Sequence, residues 1–146
     1  MIRSILRRAV GKYTRTVHAR GSRFHHATAP ARDGAWSEQP IKSADVLEGA
    51  PRARAVEFAH TGDGGLVCGS WDCTAGSFRW YYGCDEVITI LEGEAFVTVD
   101  GERAHLRPGS VVFFPLDAEA LWEVPNYVRK QFVLRYPAPL LRRMVE

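Results

Sequence analysis

Residues 78–115 read FRWYYGCDEVITILEGEAFVTVDGERAHLRPGSVVFFP. Short runs rich in Val, Ile, Phe, Tyr and Trp are broken here at close intervals by Gly, Pro and Asp, the pattern of consecutive β-strands. Asp100-Gly101, between 95–99 and 103–106, is a hairpin signal, because a type I′ turn needs positive φ at both central positions. Side chains in a strand alternate between two faces. Phe78, Trp80 and Tyr82 therefore share one face, as do Glu86, Ile88 and Ile90.

The same grammar extends on both sides. Candidate strands are 55–60, 66–73, 78–82, 86–91, 95–99, 103–106, 111–114, 120–124 and 128–135, a spacing that predicts an all-β sandwich or barrel rather than βαβ units. Ala120, Trp122 and Val124 share a face, and Val128, Lys130, Phe132 and Leu134 form another apolar set. If each apolar set faces inward, Glu86 and Lys130 point into the barrel with it. His105 falls on the face of Arg103 and is expected to meet solvent.

The chain of 146 residues is long enough for one domain with a core, and no apolar run approaches the ~20 residues of a membrane-spanning helix. Three cysteines, Cys68, Cys73 and Cys84, are odd in number and lack C-x-x-C spacing, which predicts reduced thiols and a cytoplasmic-type compartment. The net charge of +2 hides an asymmetry. Residues 1–32 hold eight Lys/Arg and no acid, leaving eleven Lys/Arg against seventeen Asp/Glu in the remainder. We divide the chain into a basic arm and linker (1–39), a barrel (40–137) and a tail (138–146), whose end (140–146) reads as a short helical stretch.

In the arm, Ile2, Ile5, Leu6, Ala9, Val10 and Tyr13 recur at helical spacing, with Arg3, Arg7, Arg8, Lys12 and Arg15 on the other faces, so 2–13 reads as a basic amphipathic helix. Three readings stand: a mitochondrial-type presequence, a helix on an anionic membrane surface, or a basic extension that is solvated or docks on the acidic body. No base-reading fold accompanies the arm, so nucleic acid is not an expected partner. His18, His25 and His26 lie in a flexible-type segment and are not assigned to a metal.

Four blocks resemble a family of small single-domain cupins. They are Trp71-Asp72-Cys73-Thr74-Ala75-Gly76-Ser77-Phe78-Arg79-Trp80, Asp85-Glu86 with Ile90-Leu91-Glu92-Gly93, Arg107-Pro108-Gly109 with Phe114-Pro115, and Trp122-Glu123-Val124 with Val128-Arg129-Lys130. The family is the "(S)-ureidoglycine aminohydrolase cupin domain" group with its ethanolamine-utilisation-type relatives. The resemblance implies a cupin double-stranded β-helix, a jelly-roll barrel, often a homodimer. It also implies a metal-binding glutamate seven residues before a glycine, met by Glu86 and Gly93. The two histidine slots preceding it hold Trp80/Tyr82 or Arg79/Tyr81, the last histidine slot falls on Ala120, and the usual acid after Gly109 is Ser110. With three of four ligands replaced, no metal and no other cofactor is expected.

The interior is then expected to present Trp71, Cys73, Phe78, Trp80, Tyr82 and Trp122 around Glu86 and Lys130. Buried charges persist when paired. The two charges can satisfy each other structurally, flank a pocket for a small polar or zwitterionic ligand, or act as a catalytic proton-transfer pair. An enzyme would be a ureidoglycine-type amidohydrolase acting on a small ureido or amino compound, or a metal-free isomerase or lyase using Glu86 and Lys130.

Overall fold

The computed structural model describes residues 22–26 and 35–137. The helix read over 2–13 and the helical end read over 140–146 lie outside these. Nine strands follow in order: β1 (Ser37–Glu38), β2 (Val46–Gly49), β3 (Ala53–His60), β4 (Leu66–Tyr81), β5 (Asp85–Gly93), β6 (Ala95–Val99), β7 (Glu102–Leu106), β8 (Val111–Phe114) and β9 (Glu119–Arg135). A single 3-10 turn, Ser43–Asp45, precedes β2. Every pairing is antiparallel, with β1-β3-β4-β9-β5-β8 as the main path, β2 added on β4, and the β6–β7 hairpin joined through β6 to β9. This is the jelly-roll barrel of a cupin domain.

The turn between β6 and β7 follows its sequence, since Asp100 and Gly101 carry φ of 50° and 79°. Elsewhere, tertiary pairing overrides the turn signals. Residues 66–73 and 78–82, expected as two strands, are one sixteen-residue β4, and 120–124 and 128–135 are one seventeen-residue β9. These two strands pair along their whole length, and their register shifts between Thr74↔Tyr127 and Gly76↔Val124, so Ala75 alone stands opposite Pro125 and Asn126. The irregularity tolerates Pro125, which has no N–H to give to the ladder. Both strands thus run on through the shift, and each serves both halves of the barrel.

The core fills the inside of this roll. Trp122, Phe78, Phe114, Ile88, Ile90, Val128 and Cys73 are fully buried. At about 1.5–3 kcal/mol for a large apolar side chain taken from water, these rings and branched chains supply much of the drive to close the barrel.

The candidate binding cavity

Period-two alternation brings Glu86 on β5 and Lys130 on β9 to the inner face. They are 5 % and 4 % exposed, respectively. Their cross-strand partners are Leu134 and Ile90, so the two lie diagonally across the wall and their long side chains close the gap. Lys130 Nζ donates to Glu86 Oε1 at 2.7 Å. The same ammonium lies 4.8 Å from the ring centre of Trp71 and 5.1 Å from that of Trp122. The ammonium is thus in contact with a carboxylate and two indole faces, each of which attracts a cation.

Around this pair is a cavity of about 260 Å³. Trp71, Phe78, Trp80, Tyr82 and Trp122 line it, together with both charged residues. The rings brace one another: Phe78 and Trp122 stack at 3° and 6.4 Å, Trp71 lies 5.7 Å from Trp122, and Tyr82 stacks on Phe114 at 4.3 Å. Trp122 Nε1 donates to the Tyr82 hydroxyl at 3.1 Å. Burial, and then the charge of Glu86, push the Tyr82 phenol well above its ordinary value, so it stays protonated. Tyr81, exposed to solvent, also borders the cavity and marks its open end.

Among the described residues, the only fully enclosed side-chain polar atom without a partner is Arg129 Nε. The site presents the ion-paired carboxylate and ammonium of Glu86 and Lys130 against aromatic walls.

Cys73, expected among the lining residues, is not brought to the wall. It is fully buried, flanked across the sheet by Ala53 and Val128, which are buried as well. Burial and the nearby charge of Asp72 push its thiol up to about 12, the signature of an inert packed cysteine. Cys84, two residues before Glu86, does border the cavity, as do Phe132 and Leu134 from β9. Alternation within the set of Lys130 already put Phe132 and Leu134 on that face. His105 is exposed as expected, stacked on Phe96 at 4.3 Å and 2.6 Å from Glu94.

The donor set does not fit a divalent metal. Among the described residues, no three His, Cys, Asp or Glu side chains converge, and Glu86 is already engaged by Lys130.

A feature that sequence reasoning missed lies on the outer face of β4. Asp72 is buried although it points away from the cavity, because Arg54 grips it at 2.6 and 3.1 Å and Tyr127 donates to it at 3.0 Å. Burial first, then the bond to Asp72 and its charge, push the Tyr127 phenol up to about 12. Because the folded state holds this proton more tightly than the unfolded chain, the associated stability is complete below pH ~10 and is lost as pH rises through about 12. We expect Asp72→Asn to move the Tyr127 tyrosinate absorbance titration down toward the unfolded value. Tyr127→Phe identifies which titration belongs to it, and an unchanged midpoint would refute the role of Asp72.

An antiparallel roll with its polar pair and rings turned inward defines a cupin-type barrel. Residues 61–132, just under half of the chain, match the EutQ-like cupin domain, in agreement with the cupin fold. The protein named "Acetate kinase EutQ" from Clostridioides difficile (strain 630) is 29% identical over 73 residues, which cover 50% of this chain and 46% of that protein. The chain thus matches about half the length of this curated relative. Among solved structures, ethanolamine utilization protein Q from Salmonella typhimurium LT2 superposes with a TM-score of 0.52 and 26% identity, covering 57% of this chain and 69% of that one. A DUF861-family protein of unknown function from Pseudomonas syringae pv. tomato str. DC3000 gives a TM-score of 0.64 at 20% identity, covering 71% and 46%, and supports the fold. No helix among the described residues is long and apolar enough to cross a membrane.

Proposed function

We propose that the barrel binds a small polar or zwitterionic organic molecule without the usual cupin metal. The observation that carries this reading is the aromatic cavity of about 260 Å³ lined by the ion-paired Glu86 and Lys130. Its size suits a ligand of few heavy atoms, below the usual range for drug-sized molecules. A ligand N–H or ammonium would meet the Glu86 carboxylate, a ligand carboxylate or carbonyl would face Lys130, and the flat part would lie against Trp71 or Trp80.

The alternative, an enzyme of the ureidoglycine aminohydrolase type or a metal-free isomerase or lyase, draws on the same two residues. In either case Glu86 and Lys130, paired at 2.7 Å, are the groups that would act on the substrate.

Thermal melting against a panel of small amino acids, ureido compounds, amines and carboxylates tests the binding reading. A ligand present at about a hundred times its Kd stabilises the fold by about 2.7 kcal/mol, a shift of several degrees. We expect Glu86→Gln and Lys130→Met each to abolish or sharply reduce that shift, measured relative to their own melting points. Shifts that persist unchanged in both variants would move the ligand out of this cavity.

A further inference from the structure

The sheet face turned away from the cavity carries an apolar band. The register places Phe113, Val87, Val133, Cys68 and Ala59 side by side across β8, β5, β9, β4 and β3. Phe113 is 60 %, Val87 42 % and Val133 36 % exposed, while Cys68 and Ala59 are half-buried. Val111, also exposed, extends the band along β8. Single exposed hydrophobes are ordinary on a protein surface, but a continuous row across five strands is not.

We propose that this band is the docking site of the chain's own segment 2–13. Five strands about 4.8 Å apart make a row about 19 Å long, and twelve residues at helical rise measure about 18 Å. The segment's apolar residues, Ile2, Ile5, Leu6, Ala9, Val10 and Tyr13, fall on one helical face that can lie along the row. The described residues that lead into the arm sit at one end of it. Gly62 N–H donates to Ser22 Oγ at 2.9 Å, and His25 packs edge-on against Phe58, the neighbour of Ala59, at 5.8 Å. The intervening residues 14–21 reach up to about 26 Å when extended, enough to lay the segment on the row. Charge agrees as well: the arm is wholly basic, the rest of the chain is net acidic, and Asp85 stands one pleat from Val87.

The width of the band favours this occupant over a second copy of the chain. A stable dimer buries about 800 Å² on each partner. A row roughly one to two side chains wide matches a single helix of about 10 Å diameter instead. A homodimer of the kind the family resemblance implies would have to compete for this face if it used it.

Cys68 lies within the row, whereas Cys73 and Cys84 are buried on the other side of the sheet, so maleimide labelling of Cys68, assigned by peptide mass mapping, reports whether the band is covered. In dilute protein, we expect removal of residues 1–21 to speed labelling of Cys68 about tenfold by freeing the covered face. Ile5→Asp with Leu6→Asp in the full-length chain should reproduce the effect without changing the cooperative unfolding of the barrel. Equal rates in all three chains would overturn the proposal, as would protection that rises with protein concentration and survives removal of the arm. The latter result would assign the band to a second copy.

Discussion

Lys130→Met is expected to cost about 3–5 kcal/mol of folding stability, a large part of the total for a domain. The cause is the carboxylate left behind. Glu86 is almost fully buried, and its bond to Lys130 at 2.7 Å is the only ion pair it makes among the described residues. Without that ammonium, an anion remains among indole and phenol rings, where desolvation is uncompensated. Methionine keeps most of the aliphatic stem, so lost packing contributes little. Converting Glu86 to Met in the same protein should recover most of the loss, because buried pairs replaced on both sides by apolar groups are often neutral or better. Urea unfolding of the two single variants and the double variant forms a closed cycle. Additive losses, with the double variant worse than either single, would show that the two residues do not act as a pair.

Gly93→Ala is expected to destabilise the barrel by about 3 kcal/mol or more. The residue sits at the end of β5 with φ of 71°, and a β-carbon there would lie 1.9 Å from the Tyr127 carbonyl oxygen on β9. The left-handed backbone alone costs about 1–2 kcal/mol for an L side chain, and forcing the two strands apart adds about 1–3 kcal/mol. Gly101→Ala is the control, since its φ is similarly positive at 79° but nothing lies within 4 Å of the added carbon. It should lose only the conformational part, about 1–2 kcal/mol. Equal melting points for the two variants would mean that the β5–β9 approach near Gly93 is looser than described.

Gly93 had entered the argument as a motif glycine, seven residues after Glu86. Its physical task is visible only where β9 passes within contact of it. The same holds for Asp72, which sits in an ordinary strand run and gives no sign in sequence of the Arg54 and Tyr127 that cover it. Cys73 illustrates the converse. Alternation put it on the inner face, yet it is packed into the core beside Ala53 and Val128 and does not line the cavity.

Strand boundaries divided in the same way. The hairpin at Asp100-Gly101 was legible because its backbone angles are a local property of those two residues. The stops read around residues 74–77 and 125–127 were not ends at all. There β4 and β9 pair through an irregularity, and cross-strand hydrogen bonds formed by distant residues outweigh local turn chemistry.

Sequence alone determined the β class, the identity of the inward sets, and the presence of one acid and one amine among them. These follow from a side-chain period of two, which any strand obeys regardless of its neighbours. Tertiary structure decided that residues 44 positions apart meet at 2.7 Å, and that an apolar row runs unbroken across five outer strands. Register between strands and the covering of each face depend on contacts between segments far apart in the chain, which no local pattern encodes.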